Sequence, residues 1–181
     1  MTTRRRFNLQ ILTIPFSIIS ISLVSVCYYL LQFVDSIVHG DLYGYGLVFS
    51  YEWANQYWNI TAFIRSSLNV TLFLLVISLI LTVINVRAYK KVLKISSCAL
   101  FIVGTGFVSY CVFLLSQLDF IVNSDLYAFG LQFAYQWADK YWIYLGLIYI
   151  LFGLSIASLL ICFMFCIFSK PINKIVNKYE N

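Results

Sequence analysis

Charge is scarce in this chain. Only 10% of its 181 residues are Asp, Glu, Lys or Arg, against about 25% in a soluble domain. That density cannot cover a water-facing surface, so an ordinary soluble fold is excluded. Histidine is scarcer still, with His39 alone. A haem held between two histidines is excluded. A catalytic zinc or copper site usually needs two or three imidazoles, so it would have to borrow them from another chain. The cysteines are Cys27, Cys98, Cys111, Cys162 and Cys166. All lie in or at the ends of apolar runs, so no disulfide framework can tie the segments between those runs. Cys162 and Cys166 are four apart, not the C-x-x-C of a thiol oxidoreductase, and the five read as small packing residues. The chain has no nucleotide-binding motif, nucleophile–base pair or metal-ligand cluster. No Asp, Glu, Lys or His falls in the middle of an apolar run, where ion and proton carriers place one.

Long apolar runs are what the chain does have. A membrane-spanning helix needs about 20 apolar residues, and four runs qualify: about 9–34, 60–86, 95–118 and 143–169. Each is expected to be helical, because lipid offers no partner to free backbone N–H and C=O groups. Pro15 falls in the first turns of its helix, where a missing N–H matters least. The first run follows an Arg cluster, in outline like a signal peptide. It is about 25 residues long, against 7–15 for a signal core, and no small-residue cleavage site follows. It reads as a retained span. Arg65 is the one basic residue near the start of the second run. It either snorkels to the interface or pairs with an acid there.

The basic residues set an expected orientation. Arg4, Arg5 and Arg6 precede the first run, Arg87, Lys90, Lys91 and Lys94 join the second to the third, and Lys170, Lys174 and Lys178 follow the fourth. That places ten of twelve on one side, cytoplasmic by the positive-inside rule, with both termini. The other side holds Asp35, Asp41, Glu52, Asp119, Asp125 and Asp139, giving formal charges of −4 outside and +9 inside. The basic excess reads as topology and contact with anionic lipid. A nucleic-acid partner has no support.

The segments facing outward repeat. Residues 34–58 and 118–142 are identical at 14 of 25 positions with an offset of 84. The shared set includes Asp35/Asp119, Asp41-Leu42-Tyr43/Asp125-Leu126-Tyr127, Gly46/Gly130, Phe49/Phe133, Tyr51/Tyr135, Trp53/Trp137 and Tyr57-Trp58/Tyr141-Trp142. Cys27 and Cys111 coincide too, while the runs themselves match only in apolar character. The chain therefore reads as an all-α membrane protein made by tandem duplication of a helix–outer loop–helix unit. Residues 1–90 form one copy with loop 35–59, and 91–181 the other with loop 119–142. Two-span units keep their orientation, so a pseudo-twofold axis along the membrane normal is expected.

Alternating large residues from 43 to 53 mimic a strand, whereas Glu52, Asn55, Gln56 and Asn59 fall on one helical face. A short interfacial helix is favoured, with Asp41 and Asp125 as N-caps. Asp35 and Asp119 read as capping or solvated residues. Alternatively, the paired acids converge on the axis around a hard cation. The aromatics read as interfacial anchors and packing residues, with an aromatic-lined pocket as the sharper alternative. Gly104-Thr105-Gly106 offers a close helix approach, and the in-run Ser, Thr and Asn suit helix–helix hydrogen bonds. Asn59-Ile60-Thr61 matches a glycosylation acceptor but lies against the membrane.

The expected role is a non-catalytic accessory or scaffold subunit of a larger membrane complex, needing no cofactor. The motif from Asp41 to Trp58 and from Asp125 to Trp142 would pack or bind other membrane subunits or further copies. A small transporter or channel centred on the axis is the second reading. The third is a subunit lending Asp41, Asp125 and His39 to the metal site of a membrane oxidase or monooxygenase.

Overall fold

The computed structural model describes residues 9–44, 51–88, 90–128 and 135–169. They form four α-helices: α1 (Leu9–Gly44), α2 (Tyr51–Ala88), α3 (Lys91–Ala128) and α4 (Tyr135–Phe168). Each contains a stretch long and apolar enough to cross a membrane: Gln10–Val38, Asn55–Val86, Lys91–Val122 and Lys140–Phe168. Pro15 is accommodated near the start of α1. There it forgoes one backbone bond, to the Ile11 carbonyl.

The helices form a ring in chain order. α1 packs on α2 and α4, and so does α3, while among the described residues the diagonal pairs α1/α3 and α2/α4 make no close approach. The broadest seams are α1–α4 and α2–α3, so they join the first half of the chain to the second. Only positions 89 and 90 separate α2 from α3. The start of α1, the end of α2, the start of α3 and the end of α4 share one end of the bundle, here the terminal end. The segments linking α1 to α2 and α3 to α4 mark the motif end.

What turns inward follows a heptad. In α1 the buried stripe is Gln10, Thr13, Ser17, Ser20, Val24, Cys27, Leu31, Val34 and Val38, alternating steps of three and four, with Asp35 buried beside it. In α2 they include Tyr57, Thr61, Ile64, Leu68, Thr71, Leu75, Ser78, Thr82 and Asn85. α3 uses 97, 101, 104, 108, 111, 115, 118 and 122, and α4 uses 141, 145, 148, 152, 155, 159, 162 and 166, with Ser169 continuing the stripe just past its end. A 3.5-residue period keeps one stripe facing its partners along the whole helix, the geometry of left-handed coiled-coil packing with crossings of about 20°. Large apolar side chains such as Phe63, Phe73, Phe113 and Ile150 point outward instead. This inside-out distribution is stable where the surroundings are as apolar as the core.

The helices run further than the apolar runs predict. α1 continues past Val34 to Gly44, and α2 begins at Tyr51 rather than Ile60. The second pair behaves alike, with α3 reaching Ala128 and α4 starting at Tyr135. Much of each expected outer loop is therefore helical stem. This corrects the N-cap assignment of Asp41 and Asp125, which lie in the last turns of α1 and α3. The backbone bonds there are already made by the helix itself, so no new helix starts at either acid. Gly46, Phe49, Gly130 and Phe133 lie outside the described residues.

Candidate functional site

The motif end contains the one described ion pair. Asp35 ends the predicted first span, and an acid at that place reads as a solvated residue. In the structure it is buried, 6% exposed. Both oxygens are engaged: Tyr57 Oη donates to Oδ1 at 2.7 Å, and Arg65 Nη2 pairs with Oδ2. The capping-or-solvation assignment is thus corrected for Asp35. The helical register explains it, because Asp35 adjoins Val34 on the inward stripe of α1, facing α2. Of the two readings of Arg65, the ion pair is the one realised. Its side chain, 38% exposed, lies two turns inside Tyr57 on α2 and reaches back toward the motif end.

The second copy of the motif places Asp119, Tyr141 and Tyr149 at the matching positions. Asp119 lies close enough to act electrostatically on both tyrosines. Tyr149 stands where Arg65 stands in the first half, so the two halves differ chemically at this level. Tyr57 and Tyr141 are both fully buried and lie within electrostatic reach of each other. Each packs edge-on against the following tryptophan, with ring centroids 5.0 Å apart for Tyr57–Trp58 and 5.3 Å for Tyr141–Trp142. Trp142 itself is 41% exposed. The motif therefore turns one aromatic of each pair inward. Phe33 of α1 stacks on Tyr144 of α4 at 5.6 Å.

Toward the terminal end the stripe becomes polar. Ser17, Thr82 and Ser155 bond back to their own helix four residues earlier, at 2.7–2.8 Å. This is how a hydroxyl satisfies itself in an apolar setting. Others cross between helices. Ser20 bonds Ser158 at 2.8 Å, and Ser158 donates to the Phe16 carbonyl at 2.9 Å. The Cys27 thiol approaches the Ile148 carbonyl at 4.0 Å, and the Cys111 thiol approaches that of Ile64 at 4.0 Å. Cys162 reaches the Thr13 carbonyl at 3.6 Å, and Ser78 reaches that of Ser97 at 3.5 Å. Each of these last two pairs is related by the same 84-residue offset with the halves exchanged.

Close approach occurs at Gly104, where an added Cβ would lie 3.2 Å from Leu75 Cδ2. Gly106 has open space instead, so only one of the two glycines serves as expected. Asn59 and Thr61 lie within α2, and Thr61 is buried.

His39, Asp41, Leu42, Tyr43, Tyr51 and Trp53 are placed by backbone on the stems of α1 and α2. Asp125, Leu126, Tyr127, Tyr135 and Trp137 occupy those of α3 and α4. The side chains of both sets are outside the described residues. No group of three or more His, Cys, Asp or Glu side chains suited to a metal ion occurs among the described residues. The burial of Asp35 escapes a reading of the sequence because an acid at the end of an apolar run looks solvated. The signal that finds it is its place beside the stripe, with an Arg on the next helix. Comparison of the chain with protein-family models, curated proteins and solved structures finds no match.

Proposed function

We propose that the chain is a multi-pass integral-membrane protein of two duplicated helix–turn–helix units, serving as a non-catalytic accessory subunit of a larger membrane complex. The matched thiol and hydroxyl contacts across the two seams support the duplication. So does the recurrence of the buried stripe at positions 84 apart. The basic terminal end faces the cytoplasm by the positive-inside rule, and the motif end faces outward.

One observation carries the role. The aromatic motif is borne on stems continuous with the spanning helices, while the bundle axis is filled by fully buried side chains, Tyr57, Tyr141, Phe101 and Phe152 among them. A rigid support holds contact residues in place at low entropic cost. Tyr and Trp are favoured interface anchors. A filled axis leaves the outward faces of the motif as the recognition surface for another subunit.

A small transporter is the second reading. It draws on the polar stripe of the terminal half, and the aromatic layers count against an open path.

Gentle native purification from the source membrane tests the proposal. Stoichiometric membrane subunits that co-purify, and dissociate when Trp58 and Trp142 are replaced by Ala, are the expected result. A lone stable monomer overturns it. A homo-oligomer that moves solutes across vesicle membranes favours the transporter.

A further inference from the structure

Cys98 and Cys166 belong to different helices, far apart in sequence. At the terminal end they meet. The Cys166 thiol sits 3.6 Å from the Lys94 carbonyl, the carbonyl to which the Cys98 N–H bonds within α3. The two thiols lie within electrostatic reach of each other. A sulfur can touch a neighbouring helix's backbone only where the two helices come close, and a disulfide needs that closeness. Lys94 fixes the level of contact: its ammonium donates to the Ile167 carbonyl at 2.8 Å and to the Ser169 carbonyl at 2.7 Å. These are orphan carbonyls at the end of α4, so the register of α4 on α3 is pinned beside the thiols. Cys166 is fully buried and Cys98 partly exposed, the arrangement of a resolving and an attacking thiol. Cys162, one turn from Cys166, bonds instead with Thr13 and Ser17 of α1.

We propose that Cys98 and Cys166 are a redox pair that closes to a disulfide on exposure to a peroxide, stapling α3 to α4 beside the Lys94 cap. The steps balance. The Cys98 sulfur takes one oxygen from hydrogen peroxide, forming a sulfenic acid and releasing one water. The Cys166 sulfur then displaces hydroxide from the sulfenic sulfur, forming the S–S bond and releasing a second water. Two thiols thus give up two electrons and two protons per peroxide. In a reducing compartment the pair rests as the dithiol.

The test uses the purified full chain in detergent and in vesicles, treated with hydrogen peroxide, alkylated and digested without reductant. The expected product is a peptide linking Cys98 to Cys166. Alkylatable thiols should fall from five to three and return with dithiothreitol. C98S and C166S should each abolish that link, and C162S should leave it in place. A sulfinic acid at Cys98 with no cross-link, or a link from Cys98 to Cys162, overturns the proposal. Peptide mapping of the wild-type chain decides the matter even if a variant fails to fold.

Discussion

Both oxygens of Asp35 are engaged, one by a phenol and one by a guanidinium, so the three side chains act as a unit. Removing one member of such a set leaves the others poorly solvated. Tyr57→Phe deletes a hydrogen bond to a charged acceptor, worth about 1.5–3 kcal/mol. Its midpoint in a detergent unfolding titration should fall accordingly. Arg65→Met leaves a buried carboxylate without its cation. Because the Arg65 side chain is 38% exposed, the loss is discounted to about 1–3 kcal/mol. The double variant Asp35→Asn, Arg65→Met should recover part of that loss, since no charge then remains to bury. Simple additivity in the double-mutant cycle would mean that the pair does not interact. At this scale the sequence is only half legible. Arg65 offers two readings and the structure realises one. The burial of Asp35 depends on helix phase, which an acid at the end of an apolar run does not reveal.

The helices as elements are legible, because an uncharged run long enough to cross a bilayer has few alternatives to a helix. Their ends are not. The aromatic motif carries strand as well as helical spacing and reads as a separate short interfacial helix, so the apolar pattern stops α1 at Val34 and starts the second span at Ile60. The heptad stripe is also hidden. Lipid-facing Phe and Ile are as apolar as buried Leu, and pattern alone cannot separate them. The small residues give the better signal, since Thr13, Ser17, Ser20, Cys27, Ser78 and Gly104 mark the inward face. Gly104 and Gly106 make a matched test. Gly104→Leu should overpack the α2–α3 seam and destabilise by about 1–3 kcal/mol. Gly106→Leu, where open space surrounds the site, should be close to neutral. Equal effects in thermal unfolding would show that the close approach to Leu75 carries no energy.

At the scale of the whole molecule, the strongest seams join residue positions from different halves. Splitting the chain between α2 and α3 should therefore preserve the bundle. Residues 1–90 and 91–181, produced together as separate chains, should co-purify through an affinity tag on either one. The first half alone should self-associate, because its α1 and α2 stripes carry the same spacing as those they normally meet on α4 and α3. A tagged half that emerges as a stable monomer would remove the duplicated interface from the account. The division into halves is an expectation that rests on the repeated motif. The exchange of contacts between the halves is not, because the seam residues themselves have diverged: Cys27 matches Cys111, but Ser78 matches Cys162 and Ser20 matches Gly104.

The spanning stretches are 29–32 residues long, about 44–48 Å as helix. A bilayer measures about 30 Å across its hydrocarbon and 40–45 Å with its headgroup layers. Each stretch is thus long enough to match the full thickness, headgroup layers included. Asp35 lies three residues from the motif-end limit of the α1 stretch, and Arg65 lies ten residues inside that of α2. Bound to each other along a shared stripe, the helices cannot shed excess length by tilting independently. The bundle is matched to a thick membrane and resists a thin one. In vesicles of graded acyl-chain length, thermal stability should rise with thickness, and the Asp35–Arg65 pair should break before any other part of the bundle as the bilayer thins.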